Sequence, residues 1–271
     1  MDLGLTGRVA IVTGAAKGIG RAIAERLSTE GACVVVADVD VAAGTDVAER
    51  LGPRATFVRT DVSDADDVRS VVEQACDRFG GLHVMVNNAG ISGTSRRLMA
   101  DDLRDFQRVL AVDLYGVMVG TREAARAMGD GGSVVNITSI AGISPGVGFS
   151  TYRAAKAGVI HFSRCAAIEL AELGVRVNVI APGNIATDIN ASFDTSSVVR
   201  RIQPLQRLGA ASDIADVAAF LAGDRSAQVT GTVVPVDGGT TAGPPPIDHA
   251  DVLVQDAGGR SRTGEEEPRH D

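Results

Sequence analysis

Tryptophan is absent from this 271-residue chain, aromatic residues make up only 3% of it, and cysteine occurs only three times. Cys33, Cys76 and Cys165 lie far apart, so no paired spacing suggests zinc, and their odd number argues against a disulfide framework. The cysteines therefore predict small buried side chains in a reducing compartment, and we expect a cytoplasmic protein. His161 has no second ligand type near it in the sequence, and we predict no metal site.

Long hydrophobic runs are missing as well. The longest, such as 32–37, are far shorter than the roughly 20 residues that span a bilayer, and 1–10 lacks a basic segment followed by an apolar one. Basic charge is also scarce: 26 Lys and Arg stand against 34 Asp and Glu, a net charge of −8. We therefore expect neither a membrane nor a nucleic acid as partner.

What the chain does contain is a regular alternation of β-branched runs with amphipathic stretches, which is typical of an α/β domain with a parallel sheet. Several runs are nearly continuous Val, Ile and Ala, as expected where helices cover both sheet faces. The pattern predicts strands at 8–13, 33–38, 56–60, 82–86, 133–138, 176–180 and 232–236, and helices at 19–30, 41–51, 65–79, 103–128, 152–173 and 212–221. We thus predict one doubly wound domain over 1–241, with a seven-stranded, mostly parallel sheet.

The last segment, 242–271, differs in composition, being acidic and rich in Pro and Gly. One interpretation is a solvated tail with little order. The other is an arm whose apolar patch at 252–254 docks on a neighbouring subunit. The sequence does not choose between them.

A glycine-rich segment, TGAAKGIG, follows the first predicted strand and opens the first helix. Gly14, Gly18 and Gly20 let the backbone approach a diphosphate at the helix N-terminus. Asp38 ends the second strand, 18 residues beyond Gly20, where a carboxylate binds ribose hydroxyls. It would also repel the extra phosphate of NADP, so NAD is favoured. Lys17 argues for the opposite preference, because a nearby cation tolerates the extra phosphate of NADP. A lysine at this position also suits a solvated loop.

Tyr152 and Lys156 are four residues apart in a helical pattern, which places them on one face of a helix. An ammonium near a phenol favours the phenolate form, as a proton-transfer catalyst requires. Taken alone, this spacing is common in ordinary helices.

The glycine-rich segment and the Tyr152–Lys156 pair occur together with several other short motifs along the chain. They are TGAAKGIG (13–20), DV (61–62), NNAG (87–90), Ser139, YRAAK (152–156), and PG (182–183) followed by Thr187. Over about residues 5–240 the chain resembles the classical short-chain dehydrogenases/reductases. The resemblance implies a Rossmann fold, hydride transfer with a nicotinamide cofactor, and a homo-oligomer, commonly a tetramer built on the two long helices and the last strand.

The resemblance also implies roles for individual residues. Tyr152 is expected to be the general acid/base, Ser139 to hydrogen-bond the substrate oxygen, and Lys156 to bind the nicotinamide ribose and tune Tyr152. The cofactor contacts that it implies are Gly14, Lys17, Gly18, Ile19, Gly20, Asp38, Asp61, Val62, Asn88, Ala89, Gly90, Tyr152, Lys156, Pro182, Gly183, Ile185 and Thr187.

One catalytic position departs from the family pattern. The family's usual Asn in the long helix before the fifth strand falls on Asp113. If ionised, Asp113 would stabilise Lys156 as ammonium but weaken the net positive field on Tyr152. Activity would then persist with an alkaline-shifted optimum. Alternatively, the change marks an NAD-binding sensor with impaired catalysis.

Substrate choice in this fold is expected from the loops 91–97, 141–149 and 183–206 at the carboxyl ends of the strands. Few fixed charges occur at 141–149, which favours a cyclic, hydroxysteroid or lipid-like secondary alcohol. The leading hypothesis is therefore NAD-dependent interconversion of such an alcohol and its ketone. Alternatives are an NADPH-dependent 3-oxoacyl-carrier-protein reductase, the NAD-binding sensor, and a non-catalytic interaction module that uses the acidic tail.

Overall fold

The computed structural model describes residues 2–186, Val199 and residues 201–245, and it contains one seven-stranded sheet. The strands are β1 (Val9–Thr13), β2 (Cys33–Asp38), β3 (Ala55–Arg59), β4 (Val84–Asn87), β5 (Gly132–Ile137), β6 (Val175–Pro182) and β7 (Val233–Val236). Their order is β3-β2-β1-β4-β5-β6-β7, and every neighbouring pair is parallel. The predicted doubly wound sheet is confirmed.

Helices connect the strands and cover the sheet. They are α1 (Gly18–Thr29), α2 (Val41–Leu51), α3 (Ala65–Phe79), α4 (Phe106–Leu110), α5 (Gly116–Ala127), α6 (Ser150–Glu169) and α7 (Ala211–Ala222). The prediction of a single helix over 103–128 is wrong in two respects. It begins only at Phe106, because Leu103 has a φ of 53°, outside the helical region, and a π-helical turn at Ala111–Tyr115 separates α4 from α5.

Alternate residues of the strands face opposite layers. In β1, Ala10 and Val12 belong to a core shared with α1, α2 and α7, whereas Val9 and Ile11 pack with α3, α5 and α6. All four side chains are at most 1% exposed, so the strand is buried on both faces. Each large aliphatic side chain buried in this way contributes about 1.5–3 kcal/mol relative to an exposed one.

Two aspartates begin helices that lead away from the carboxyl edge of the sheet. Asp40 caps α2 by accepting a hydrogen bond from Ala43 N at 3.1 Å, and Asp64 caps α3 by accepting one from Asp66 N at 2.9 Å. Each carboxylate satisfies a backbone donor that the helix leaves without an internal partner. Asp40 and Asp64 therefore cap two different helices with the same type of hydrogen bond.

The strand order reverses between β1 and β4, and the connections diverge there to opposite sides of the sheet. In such sheets, ligands bind in the crevice beyond the carboxyl ends of the strands at this switch point. No helix within the described ranges is long and apolar enough to cross a membrane. Those same ranges hold no group of three or more His, Cys, Asp or Glu side chains arranged to bind a metal ion.

Candidate active site

The loops after β1 and β4 are joined by hydrogen bonds at the switch point. Thr13 Oγ1 accepts hydrogen bonds from Asn88 N at 3.0 Å and Ala89 N at 3.1 Å, and it donates one to Val86 O at 3.3 Å. The Asn88 amide donates in return to Thr13 O at 2.9 Å and Gly14 O at 3.1 Å. These bonds fix the shape of the crevice between the two strands.

The glycine loop brings α1 close to this crevice. Gly14 and Gly18 have φ values of 62° and 55°, a region that suits glycine, and a Cβ on Gly20 would lie 2.2 Å from Gly14 O. The first backbone hydrogen bond within α1 runs from Arg21 N to Lys17 O. The backbone N–H groups of residues 18–20 lie before it and are left for another acceptor. Lys17, the N-cap, supplies no side-chain cap within the described part of the chain. The first turn of α1 therefore fits an anionic group such as a diphosphate.

Asp38 ends β2 beside this loop. Its Oδ2 accepts a hydrogen bond from Ala16 N and its Oδ1 accepts one from Asp40 N, both at 2.9 Å. The two bonds orient the carboxylate while each oxygen keeps a further lone pair. The position suits recognition of ribose hydroxyls.

Asp61 and Val62 follow β3 at the same edge. Asp61 Oδ1 accepts hydrogen bonds from Ser63 Oγ at 2.6 Å and Ser63 N at 3.0 Å, and these bonds lower the pKa of Asp61 below its ordinary value. Val62 is buried in a small cluster with Val68 and Val119. The pair forms an ordered turn at the carboxyl edge of the sheet.

Contacts between β5 and α6 position Ser139, Tyr152 and Lys156. Ser139 follows β5, and its Oγ accepts a hydrogen bond from Ala141 N at 3.1 Å. Thr138 Oγ1 donates to Lys156 O at 2.7 Å, which joins the end of β5 to the first turns of α6. Lys156 Nζ lies 5.5 Å from the centre of the half-buried Tyr152 ring. The ammonium and the phenol are therefore close, as their helical spacing predicts.

Asp113 completes this cluster from the π-helical turn. Its side chain is fully buried, its Oδ2 lies 3.1 Å from Lys156 Nζ, and its Oδ1 accepts a hydrogen bond from Ile91 N at 2.8 Å. Lys156 Nζ also donates to Ile137 O at 3.4 Å. Burial raises the pKa of Asp113, and the ammonium of Lys156 is the strongest opposing influence.

Gly90 is the neighbour that leaves room for this ion pair. A Cβ at that position would lie 3.0 Å from Asp113 Oδ2 and 3.2 Å from Lys156 Nζ. The backbone after β4 therefore passes directly over the pair. Glycine keeps the two charged groups in contact without displacing either.

The segment after β6 forms the far wall of the crevice. Gly183 N donates to Val236 O at 3.0 Å, and a Cβ on Gly183 would lie 2.7 Å from Asp237 Cα. Pro182 ends β6, and Ile185 is 4% exposed and pairs with Gly209 in an isolated bridge. Thr187, predicted to contact the cofactor, lies outside the described residues, as does most of the loop 183–206.

Four groups that contribute to the site were not predicted from the sequence. They are the Thr13 hydroxyl, the Ile91 N–H, the Ile137 carbonyl and Asp40. Two of them are backbone groups, which carry no sequence signal of their own. Thr13 does carry one, because a hydroxyl residue ends a buried strand immediately before Gly14. Asp40 also carries one, as an acid two residues after Asp38.

Known proteins are similar to this chain over most of its length. A family model described as enoyl-(acyl carrier protein) reductase matches residues 14–241. A cis-4-hydroxycyclohexanecarboxylate dehydrogenase from Sinomonas cyclohexanicum is 43% identical over 242 residues, covering 87% of this chain and 97% of the relative. A 3-oxoacyl-[acyl-carrier-protein] reductase from Synechocystis is 41% identical with the same coverage. The crystal structure of a short-chain type dehydrogenase/reductase from Mycobacterium marinum superposes with a TM-score of 0.84 at 32% identity, covering 89% of this chain and 98% of that one.

Proposed function

The chain belongs to the classical short-chain dehydrogenase/reductase family, and we propose that it is an NAD-dependent dehydrogenase of a cyclic or lipid-like secondary alcohol. Its membership makes it an oxidoreductase acting on CH–OH groups with a nicotinamide cofactor. The observation that carries the proposal is Lys156 Nζ, 5.5 Å from the Tyr152 ring at the carboxyl edge of the sheet. It places a cation beside the phenol that must exchange the alcohol proton.

The site residues divide the work of alcohol oxidation. Tyr152 takes the proton of the alcohol as general base, and Ser139 donates a hydrogen bond to the same oxygen. Lys156 stabilises the phenolate and binds the nicotinamide ribose. The nicotinamide ring, when bound, supplies the hydride acceptor. The reverse assignment, with Tyr152 as acid, serves ketone reduction.

The anchored carboxylate of Asp38 supports the choice of NAD. Hydroxyl groups of the adenosine ribose satisfy its remaining lone pairs, whereas the extra phosphate of NADP would bring two like charges together. The diphosphate suits the N-terminus of α1, and Asn88, Ala89 and Gly90 line the crevice toward the nicotinamide.

The apolar loop after Ser139 supports the substrate class. Ile143 and Val147 are 41% and 71% exposed, so they present apolar surface on the loop that follows Ser139. Arg153 shapes the loop by donating to Gly148 O at 3.0 Å and Ser144 O at 3.1 Å. The relative from Sinomonas cyclohexanicum is named for an alicyclic alcohol substrate, which favours the same class.

The function is tested by following the absorbance of the NADH or NADPH formed from cyclic alcohols, hydroxysteroids and 3-hydroxyacyl thioesters. Each compound is assayed with NAD and with NADP. Turnover of an alicyclic alcohol or hydroxysteroid with NAD supports the proposal. The alternative, an NADPH-dependent 3-oxoacyl-carrier-protein reductase, is favoured by Lys17 and by the Synechocystis relative, and it requires turnover of thioesters with NADP. Cofactor binding without any turnover would contradict both and indicate a sensor.

Replacing Asp113 with asparagine is expected to move the acidic limb of the pH–rate profile for alcohol oxidation to lower pH by about one unit. The carboxylate offsets the charge of Lys156, so its removal strengthens the positive field that favours the Tyr152 phenolate. Asparagine keeps an acceptor for Ile91 N, which preserves the local backbone. The profile is measured as kcat/KM from pH 5 to 10, and a variant that tracks the unmodified enzyme would contradict the field argument.

Assembly as a homo-oligomer is supported by an apolar face along α4 and α5. Phe106, Tyr115 and Met118 are 43%, 47% and 41% exposed and line a common groove of about 340 Å³ with Leu110 and Leu114. Exposed apolar groups of this size favour burial against a second copy. The native mass measured by light scattering tests this. Cys33, Cys76 and Cys165 are free thiols, which supports a cytoplasmic location. Cys33 and Cys76 are only partly buried and Cys165 is exposed, so the prediction of three buried cysteine side chains is wrong.

A further inference from the structure

Two oppositely charged side chains lie on either side of Asp38. Ala16 N and Asp40 N both donate to the Asp38 carboxylate, so Lys17, which follows Ala16, and Asp40 are brought to the same edge of the sheet. Lys17 Nζ donates to Asp40 Oδ2 at 2.7 Å. This bond holds the pKa of Asp40 below its usual range, which keeps the group ionised at neutral pH.

The formal charges show what a ligand would meet there. Asp38 and Asp40 are two negative groups and Lys17 is the one positive group of the three, so the trio has a net charge of −1. A phosphate on the adenosine ribose carries about −1.5 to −2 at pH 7. Lys17 offers it a cationic partner, yet Asp40 already engages that ammonium.

We propose that Asp40 is a specificity-determining residue for the cofactor, which withholds Lys17 from a ribose phosphate and so favours NAD over NADP. The inference rests on the proposed function, because it concerns the same nicotinamide cofactor. It assigns the discrimination to two acids. Asp38 reads the ribose hydroxyls, and Asp40 removes the cation that a phosphate would otherwise use.

Asp40 has a second role that decides which substitution tests it. Its Oδ1 caps α2 by accepting from Ala43 N, while its Oδ2 binds Lys17. Asparagine is also a favourable N-cap, so Asp40→Asn removes the charge and keeps the capping acceptor. Asp64→Asn is the matched control, because Asp64 caps α3 in the same way and pairs with no lysine within the described residues.

The experiment measures dissociation constants of NAD and NADP by titration calorimetry, without substrate. Asp40→Asn is expected to raise the NADP-to-NAD affinity ratio about two- to fivefold, the range that exposed charge pairs support. Asp64→Asn should leave the ratio unchanged. In Lys17→Ala/Asp40→Asn the gain should disappear relative to Lys17→Ala alone, because Asp40 acts through Lys17.

The proposed NAD dependence and the proposed role of Asp40 would be contradicted by different results. A preference of the unmodified enzyme for NADP would contradict the proposed NAD dependence, whatever Asp40 does. An unchanged ratio in Asp40→Asn would overturn the present inference, whichever cofactor the enzyme prefers. An equal gain with and without Lys17 would also overturn it, because the effect would then be direct repulsion by Asp40.

Discussion

Replacing Tyr152 with phenylalanine is expected to lower kcat for alcohol oxidation about 10²- to 10⁴-fold. The substitution removes one hydroxyl, the group that accepts the alcohol proton, and keeps the ring that lies 5.5 Å from Lys156 Nζ. Affinity for the cofactor should change little, because the contacts of the glycine loop and of Asp38 do not involve the phenol. Initial rates and calorimetric NAD binding on the same preparation separate the two effects.

The chain offers a matched control, since it contains only two tyrosines. Tyr115 is 47% exposed on the apolar face of α4 and α5, and its phenylalanine variant should keep the turnover rate. Retention of more than about a tenth of the rate in Tyr152→Phe would show that another group moves the proton. The assignment of Tyr152 as general base would then be wrong.

Replacing Lys156 with methionine is expected to destabilise the fold by about 3 kcal/mol at pH 7, because a buried carboxylate loses its ion-pair partner. Lys156 and Asp113 are 4% and 0% exposed, so water does not substitute for the missing ammonium. Lys156→Met/Asp113→Asn should recover most of the loss, since it removes the orphaned charge as well. Urea unfolding of both variants measures the difference.

The pH dependence of this destabilisation has a definite sign. Burial raises the pKa of Asp113, and the variant lacks the ammonium that opposes this effect. The folded state then binds a proton that the unfolded chain releases above about pH 4, so stability falls as the pH rises toward the folded-state pKa. The slope reaches about 1.4 kcal/mol per pH unit.

Lys17, the other lysine of the chain, provides the control for this experiment. Its side chain is 68% exposed, and Lys17→Met should change stability by less than about 1 kcal/mol. If the stability of Lys156→Met followed the same pH course as that of the unmodified protein, Asp113 would not be the group left uncompensated.

The parts of the fold that were predictable from sequence depend on local pattern. The continuous Val and Ile runs mark strands buried on both faces, and Gly14, Gly18 and Gly20 mark a turn where the backbone must come close. The break in the helix over 103–128 was not predictable, because residues 111–115 have an ordinary helical composition and the π turn depends on tertiary contacts.

The candidate site shows the same division. Motif order indicated Asp38, Tyr152, Lys156 and Asp113, but not that Asp113 and Lys156 form a fully buried pair 3.1 Å apart. That distance depends on Gly90, Ile91 and the path of the backbone after β4, which no pattern in the sequence describes. Long-range pairing of this kind needs the assembled fold.

The hydrogen bonds of Thr13 Oγ1 join the loop after β4 to the end of β1 through protein atoms alone. The same bonds therefore stabilise the folded chain and fix the backbone that lines the crevice. Stability and cofactor affinity should then decline together in any variant of Thr13 or Asn88. Tyr152→Phe, which leaves these bonds in place, should change both properties little.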